Sequence, residues 1–176
     1  MMNGKFKKFT DKIYTLKALT RYNNKFKIIS ESVAEHSFFV AIFVLKLHEE
    51  YEFNLETALS MGLIHDIPEL HLSDITHDVK RNFPQIESAV LDAEHVVMNT
   101  IYPKWAALFY QLEDDQDSVE SLIVKLADNL SCVQYANAEL GLGNSGYMKD
   151  VYSNSSERVK KIEKKLEKYR RKQDAN

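Results

Sequence analysis

Four ionisable side chains stand where the surrounding pattern reads as protein core. Val33, Val40, Val44 and Leu47 recur at helical spacing, and at about 100° per residue His36 falls inside their stripe. Leu55, Leu59 and Leu63 mark a second stripe, with Asp66 on it and His65 at its margin. A third pattern, Asp117–Leu140, carries Val119, Leu122, Ile123, Leu126, Leu130 and Val133 on its main side. Asp128 points almost opposite, among Val124, Cys132 and Tyr135, so this helix reads as buried on two faces. One histidine in a core is ordinary, but an unpaired buried carboxylate costs several kcal/mol unless a cation or hydrogen bonds compensate. Two histidines and two aspartates on three helices can compensate one another by converging on a metal. Imidazole nitrogen and carboxylate oxygen suit a divalent transition ion, and an open coordination position would hold a water whose pKa falls to about 7.

The elements that must position these groups are helical. Five Gly and three Pro occur in 176 residues, and no long stretch alternates with period two. The periodicity predicts helices near Phe6–Arg21 and Ser32–Tyr51, the latter opened by the capping-box pattern Ser32-Val-Ala-Glu35. A helix near Leu55–Asp66 follows Asn54 as N-cap, and Pro68 breaks the chain after it. Further helices fit Pro84–Ile101, Pro103–Leu112, Asp117–Leu140 and Tyr147–Arg171. The text Gly141–Gly146 matches the dinucleotide fingerprint GxGxxG, but a helical pattern precedes it where that motif needs a strand, so a helix C-cap and turn are expected.

His36, the adjacent pair His65-Asp66, and Asp128 resemble the H…HD…D signature of HD-domain metal-dependent phosphohydrolases, an all-α superfamily whose helical bundle holds a metal at its centre. The flanking text SVAEHS, LIHDIPEL and VKLADNL, with LTRY placing Arg21 fifteen residues before His36, is similar to the 5′-deoxynucleotidase branch, over about Leu16 to Gly143. The resemblance implies that His36, His65, Asp66 and Asp128 ligate one divalent ion (Co, Mn, Zn or Mg). It implies that Glu69 assists proton transfer, that Asp74 lies close to sugar and reacting phosphate, and that Arg21 grips phosphate. Two departures mark this chain: Tyr22 follows the arginine where relatives have Trp, which bears on deoxyribose selectivity, and ITHDVK follows Asp74 where relatives tend to have prolines. Lys80 ends that segment within reach of a phosphate. The implied activity is release of the 5′-phosphate of deoxynucleoside monophosphates. Hydrolysis of deoxynucleoside triphosphates is the alternative within the class, and a non-catalytic nucleotide-binding or sensing module the alternative outside it.

Composition sets the wider frame. The chain is 44% apolar and 28% charged with net charge −3, which makes no global case for binding a nucleic acid polymer. Residues Glu157 to Lys172 hold nine Lys/Arg against three Glu, and Val159, Ile162, Leu166 and Tyr169 recur among them, so a basic amphipathic C-terminal helix over about 147–172 is expected, its basic face in water. The single Cys132 forms no intrachain disulfide, no secretory pattern opens the chain, and the apolar run FFVAIFVL is far short of the roughly 20 residues that span a bilayer. One domain over 1–176, a cytoplasmic location, no membrane contact and a nucleotide substrate are expected. Relatives of this kind imply a homodimer, for which Trp105, Phe109 and Tyr110 are the candidate surface. His48 and His95 read as surface residues; His71 and His77 flank the proposed site.

Overall fold

The computed structural model describes residues 4–114 and 118–173, and among these every regular element is helical. Helix α1 spans Gly4–Tyr14 and runs into a short 3-10 turn, Thr15–Lys17. Helices α2 (Val33–Leu47) and α3 (Leu55–Ile64) follow, then two short helices, α4 (Glu69–Leu72) and α5 (His77–Asn82). Helix α6 (Pro84–Ile101) and α7 (Ala106–Asp114) lead to the two long helices α8 (Val119–Gly141) and α9 (Tyr147–Gln173). No described helix is long and apolar enough to cross a membrane.

Local chemistry explains most boundaries. The capping box opens α2 as expected: Glu35 N–H donates to Ser32 Oγ at 3.2 Å and Ser32 N–H to Glu35 Oε2 at 2.7 Å. Asn54 Oδ1 caps α3 by accepting from Thr57 N–H at 3.0 Å, and Pro84 stands in the first turn of α6. Asp117, the expected start of α8, lies outside the described residues; Ser118 is the N-cap, accepting from Ser121 N–H. After α8 the chain turns at Gly143, φ 94°, with Gly143 N–H and Asn144 N–H closing on Leu140 O and Glu139 O, so the glycine-rich text is a helix C-cap.

Three boundaries differ from expectation. Helix α1 stops at Tyr14 rather than Arg21, because residues 19–21 are extended: Val33 N–H donates to Leu19 O and Arg21 N–H to Glu31 O, with Thr20 bridged antiparallel to Ser32. That ladder is tertiary and overrides helical propensity. The helix expected to reach Asp66 ends at Ile64, and α4 and α5 fill the segment after it. Helix α7 begins at Ala106, after Pro103.

Helix α8 is the central element, buried on two faces as its pattern implies. Leu122, Ile123 and Leu126 share one cluster with Val40 and Val44 of α2, Met61 of α3 and Leu166 of α9, and Tyr135 and Ala136 share another with Met148 and Val151 of α9. The expected α9 stripe is present, with Leu166 fully buried and Val159, Ile162 and Tyr169 packed beside it. On α3 the expected stripe holds in part: Leu55 and Leu59 pack against the core, but Leu63 is 54% exposed, and Ala58, Met61 and Gly62 are the buried positions. That shift of the buried face carries His65, one turn on from Met61 and Gly62, inward toward α2. Phe109 is a core residue at 1% exposure, and Trp105 and Tyr110 pack half-buried beside it, so none of the three forms the open aromatic surface expected for a dimer. His48 is exposed as expected, but His95 is not a free surface group: its ring packs edge-on against Phe109 and Tyr110, and its Nε2 is buried without a hydrogen-bond partner.

Candidate metal centre

Three helices deliver the sequence-predicted cluster to one point. His36 Nε2 of α2 lies 3.3 Å from His65 Nε2 and 3.7 Å from Asp66 Oδ2, and His65 Nε2 is 3.1 Å from Asp66 Oδ2. These three groups are close enough together to hold one metal ion. Asp128 of α8 joins through His36, its Oδ1 3.1 Å from His36 Nε2, with its side chain 35% exposed toward a cleft. The donor set, two imidazole nitrogens and two carboxylates, is of the kind a divalent transition ion takes.

The two histidines are held differently. His65 Nδ1 lies 2.8 Å from Gly62 O, an acceptor only, so Nδ1 carries the proton and Nε2 faces the cluster. His36 Nδ1 lies 2.9 Å from Arg21 Nη1 and 3.0 Å from Ser131 Oγ. Burial, reinforced by the Arg21 charge, pushes His36 below its ordinary pKa. Burial works against protonation of His65 as well, but the Asp66 carboxylate beside it prevails and raises it to about 9. Asp66 is correspondingly held well below the carboxylate range by His65 although burial opposes it, and Asp128 falls to about 2, burial again opposing, through its hydrogen bond to His36.

The cleft, about 220 Å³, is lined on one side by Arg21, Tyr22, Asp66, Glu69, Asp74 and Asp128, with Lys80 and Cys132. Glu69, at the start of α4, is pushed well above its ordinary pKa by burial and by Asp66 and Asp74, and its Oε2 is buried without a hydrogen-bond partner among the described residues. Asp74 is raised too, by burial, though its Oδ2 accepts from Tyr22 N–H at 2.7 Å. That bond ties Tyr22, with φ 53°, to the residue that follows Ser73, with φ 65°, and these two are the non-glycine residues with positive φ among those described. Such conformations persist only where the surroundings impose them and they gather at functional sites. The Tyr22 ring stacks on Tyr135, centroids 5.3 Å apart, and Arg21 lies over its face. Lys80 lines the cleft but its Nζ lies 3.6 Å from Glu94 Oε1. His71 is exposed, lies 3.4 Å from the Tyr102 hydroxyl and is absent from the cleft wall; the side chain of His77 lies outside the described residues.

Sequence reasoning missed several residues. Tyr147, Asp150, Asn154 and Arg158 of α9 form the opposite wall of the cleft. Ser131 and Glu31 reach the site from behind, Glu31 accepting from Arg21 Nη1 at 2.9 Å, and Arg21 Nη2 donates to Cys132 Sγ at 3.3 Å. A signal existed for α8: Ser131, Cys132 and Tyr135 follow Asp128 at three, four and seven residues, one helical face.

Comparison with known proteins agrees with this geometry. No curated protein matches the chain. Among solved structures, the PH0347 protein of Pyrococcus horikoshii OT3 is 26% identical with a TM-score of 0.74, covering 91% of this chain and 95% of its own. A conserved hypothetical protein of Pyrococcus furiosus is 27% identical with the same TM-score and coverage. An HD-domain phosphohydrolase of Listeria innocua has the same fold, with a TM-score of 0.79 at 20% identity, over 92% of this chain and 82% of its own. The family model described as 5′-deoxynucleotidase YfbR-like matches residues 8–172. Nearly the whole chain is spanned by that match, and the protein belongs to the YfbR-like 5′-deoxynucleotidase family.

Proposed function

We propose that this enzyme, a metal-dependent phosphohydrolase acting on deoxynucleotides, releases the 5′-phosphate of deoxynucleoside monophosphates, with His36, His65, Asp66 and Asp128 holding one divalent ion. The observation that carries this reading is the convergence of His36 and His65 on Asp66, which lines a cleft that also presents Arg21, Glu69 and Asp128. When bound, the ion supplies Lewis acidity, acidifying a water and polarising a phosphoryl oxygen. Arg21 contributes a fixed cation for the remaining phosphate oxygens, in the planar geometry that suits them. Desolvation and two neighbouring carboxylates raise the Glu69 pKa, which favours its acid form as the donor of a proton to the departing 5′-oxygen. Asp74 and Tyr22, tied by their hydrogen bond, form one piece of wall against the sugar, and Lys80 stands at the outer edge.

A screen for phosphate release tests the reading, using mono-, di- and triphosphates of deoxy- and ribonucleosides with Mn²⁺, Co²⁺, Zn²⁺ or Mg²⁺. Monophosphates should be hydrolysed with metal and spared with chelator. Triphosphate release confined to deoxynucleoside triphosphates would replace the substrate assignment, and binding without turnover would reduce the protein to a sensing module. We further propose that a homodimer forms through the outward face of α2, where Phe38, Phe39, Ile42 and Leu45 are exposed. Apolar side chains clustered this way on a surface favour association, and the same helix carries His36.

A further inference from the structure

Helix α8 carries Asp128, Cys132, Tyr135 and Glu139 at spacings of four, three and four, which places them along one face. The last three each hold the segment from Arg21 to Glu31. Cys132 Sγ accepts from Arg21 Nη2 at 3.3 Å, Glu139 Oε2 accepts from Ile28 N–H at 2.9 Å, and the Tyr135 hydroxyl donates to Ile29 O at 2.7 Å. Tyr135 also meets the other arm of the loop: its ring lies nearly parallel to that of Tyr22, with 7° between planes and 5.3 Å between centroids. Tyr135 is buried and takes no part in the cleft wall, whereas Tyr22 lines it. Tyr22 needs such backing. Its φ of 53° is a conformation that residues with a Cβ seldom adopt and that persists only where neighbours impose it. Asp74 Oδ2 takes the Tyr22 N–H at 2.7 Å, and Lys25 N–H closes a turn on Tyr22 O at 3.0 Å. Those two bonds act on the backbone, and the stack on Tyr135 acts on the ring.

We propose that Tyr135 is a positioning residue for the substrate: its ring holds the Tyr22 ring in place as cleft wall, so that α8, which carries Asp128, also sets the surface against which the nucleotide's sugar rests. The proposal rests on the functional reading above. Losing the stack frees the Tyr22 ring, so a smaller fraction of molecules presents a finished wall. KM then rises by the inverse of that fraction, while turnover of substrate already bound is spared.

The test uses the full chain, metal-free for amide exchange and Mn²⁺-loaded for kinetics. In Tyr135→Leu the Tyr22 amide should exchange with solvent about 3- to 10-fold faster, the scale of one aromatic pair. A loop amide exchanges through local opening, so a mere loss of global stability leaves its rate unchanged. KM for a deoxynucleoside monophosphate should rise by about the same 3- to 10-fold with kcat nearly constant, and Tyr135→Phe, which keeps the ring, should recover most of the loss. The double variant Tyr22→Leu/Tyr135→Leu should be no worse than Tyr22→Leu alone, because both changes remove one contact. Tyr135→Met, whose flexible side chain refills the core, puts the same question if the Leu protein does not fold. Parental exchange at Tyr22, a Phe variant as impaired as the Leu variant, or losses that add in the double variant would each overturn the proposal. An active parent whose KM ignores Tyr135→Leu overturns the proposal alone, whereas a parent that releases no phosphate from any deoxynucleotide overturns the functional reading and the proposal with it.

Discussion

Burial beside two carboxylates raises the pKa of a carboxyl group, and Glu69 is so placed, with one oxygen lacking a hydrogen-bond partner among the described residues. Glu69→Gln preserves size and removes the transferable proton. It should retain the ion by elemental analysis yet lose roughly 100-fold or more in kcat, the scale of a positioned acid; undiminished turnover would make the residue a spacer. Tyr22 poses a question of selectivity rather than rate. Its backbone is fixed by Asp74 and its ring by Tyr135, so Tyr22→Trp should enlarge the wall without moving it. The ratio of kcat/KM for matched deoxy- and ribonucleotides should then rise by about 10- to 200-fold, the worth of one close contact or hydrogen bond. An unchanged ratio would assign sugar discrimination elsewhere, with Asp74 the next residue to test. His36, His65 and Asp66 were legible because ionisable types interrupted apolar stripes. Ser131 was not, because a serine on a helix carries no such contradiction until a histidine is seen across from it.

The elements explain how a loop residue such as Arg21 can be held so closely. The chain from Arg21 to Glu31 is secured at three places: by the ladder to Glu31 and Ser32, by Glu139 accepting from Ile28 and Ile29 N–H, and by Lys25 bonded to Asp78 of α5 at 2.6 Å. The last of these sets a pH dependence. Chiefly through the Lys25 hydrogen bond, Asp78 is lowered from its ordinary value to about 2. A carboxylate whose folded pKa is depressed contributes stability that is present above its unfolded pKa, near 4, and lost as pH falls through the folded value. Because the pair is partly open to water, its contribution is about 1 kcal/mol. Urea unfolding of Asp78→Asn should show that deficit at pH 7 and progressively less of it as pH falls from about 4 toward 2; a constant deficit would point to packing instead. Capping boxes, prolines and stripes made α2, α6, α8 and α9 readable because their signals are local. The extended Arg21 segment was not readable, since its partner strand begins ten residues on and pairs through backbone atoms that every sequence has. The α3 face was misjudged because leucines outweigh Ala58 and Gly62 on any apolar scale, whereas helices approach each other most closely through small residues.

At the scale of the molecule, an outward face and an inward site share α2, with Phe38, Phe39, Ile42 and Leu45 outside and His36 within. Ile42→Asp should convert a dimer to a monomer by light scattering during gel filtration, with folding intact by circular dichroism. A parent that is monomeric at micromolar concentration would dismiss this face. The last helix brings a different consequence. Helix α9 covers the second apolar face of α8 and supplies one wall of the cleft, and its 27 residues are the final ones of the described fold to be synthesised. At about 5–20 residues per second a ribosome makes them in roughly one to five seconds. For that interval the remainder of the bundle exists with Tyr135 and its neighbours bare and the substrate site lacking a side. Hydrolysis of nucleotides therefore waits for α9 to dock, and the stickiest surface stays exposed until it does. Chains stopped at Ser145 should accordingly pellet with aggregates or with bound chaperone, and recover solubility when a peptide of residues 146–173 is supplied in trans.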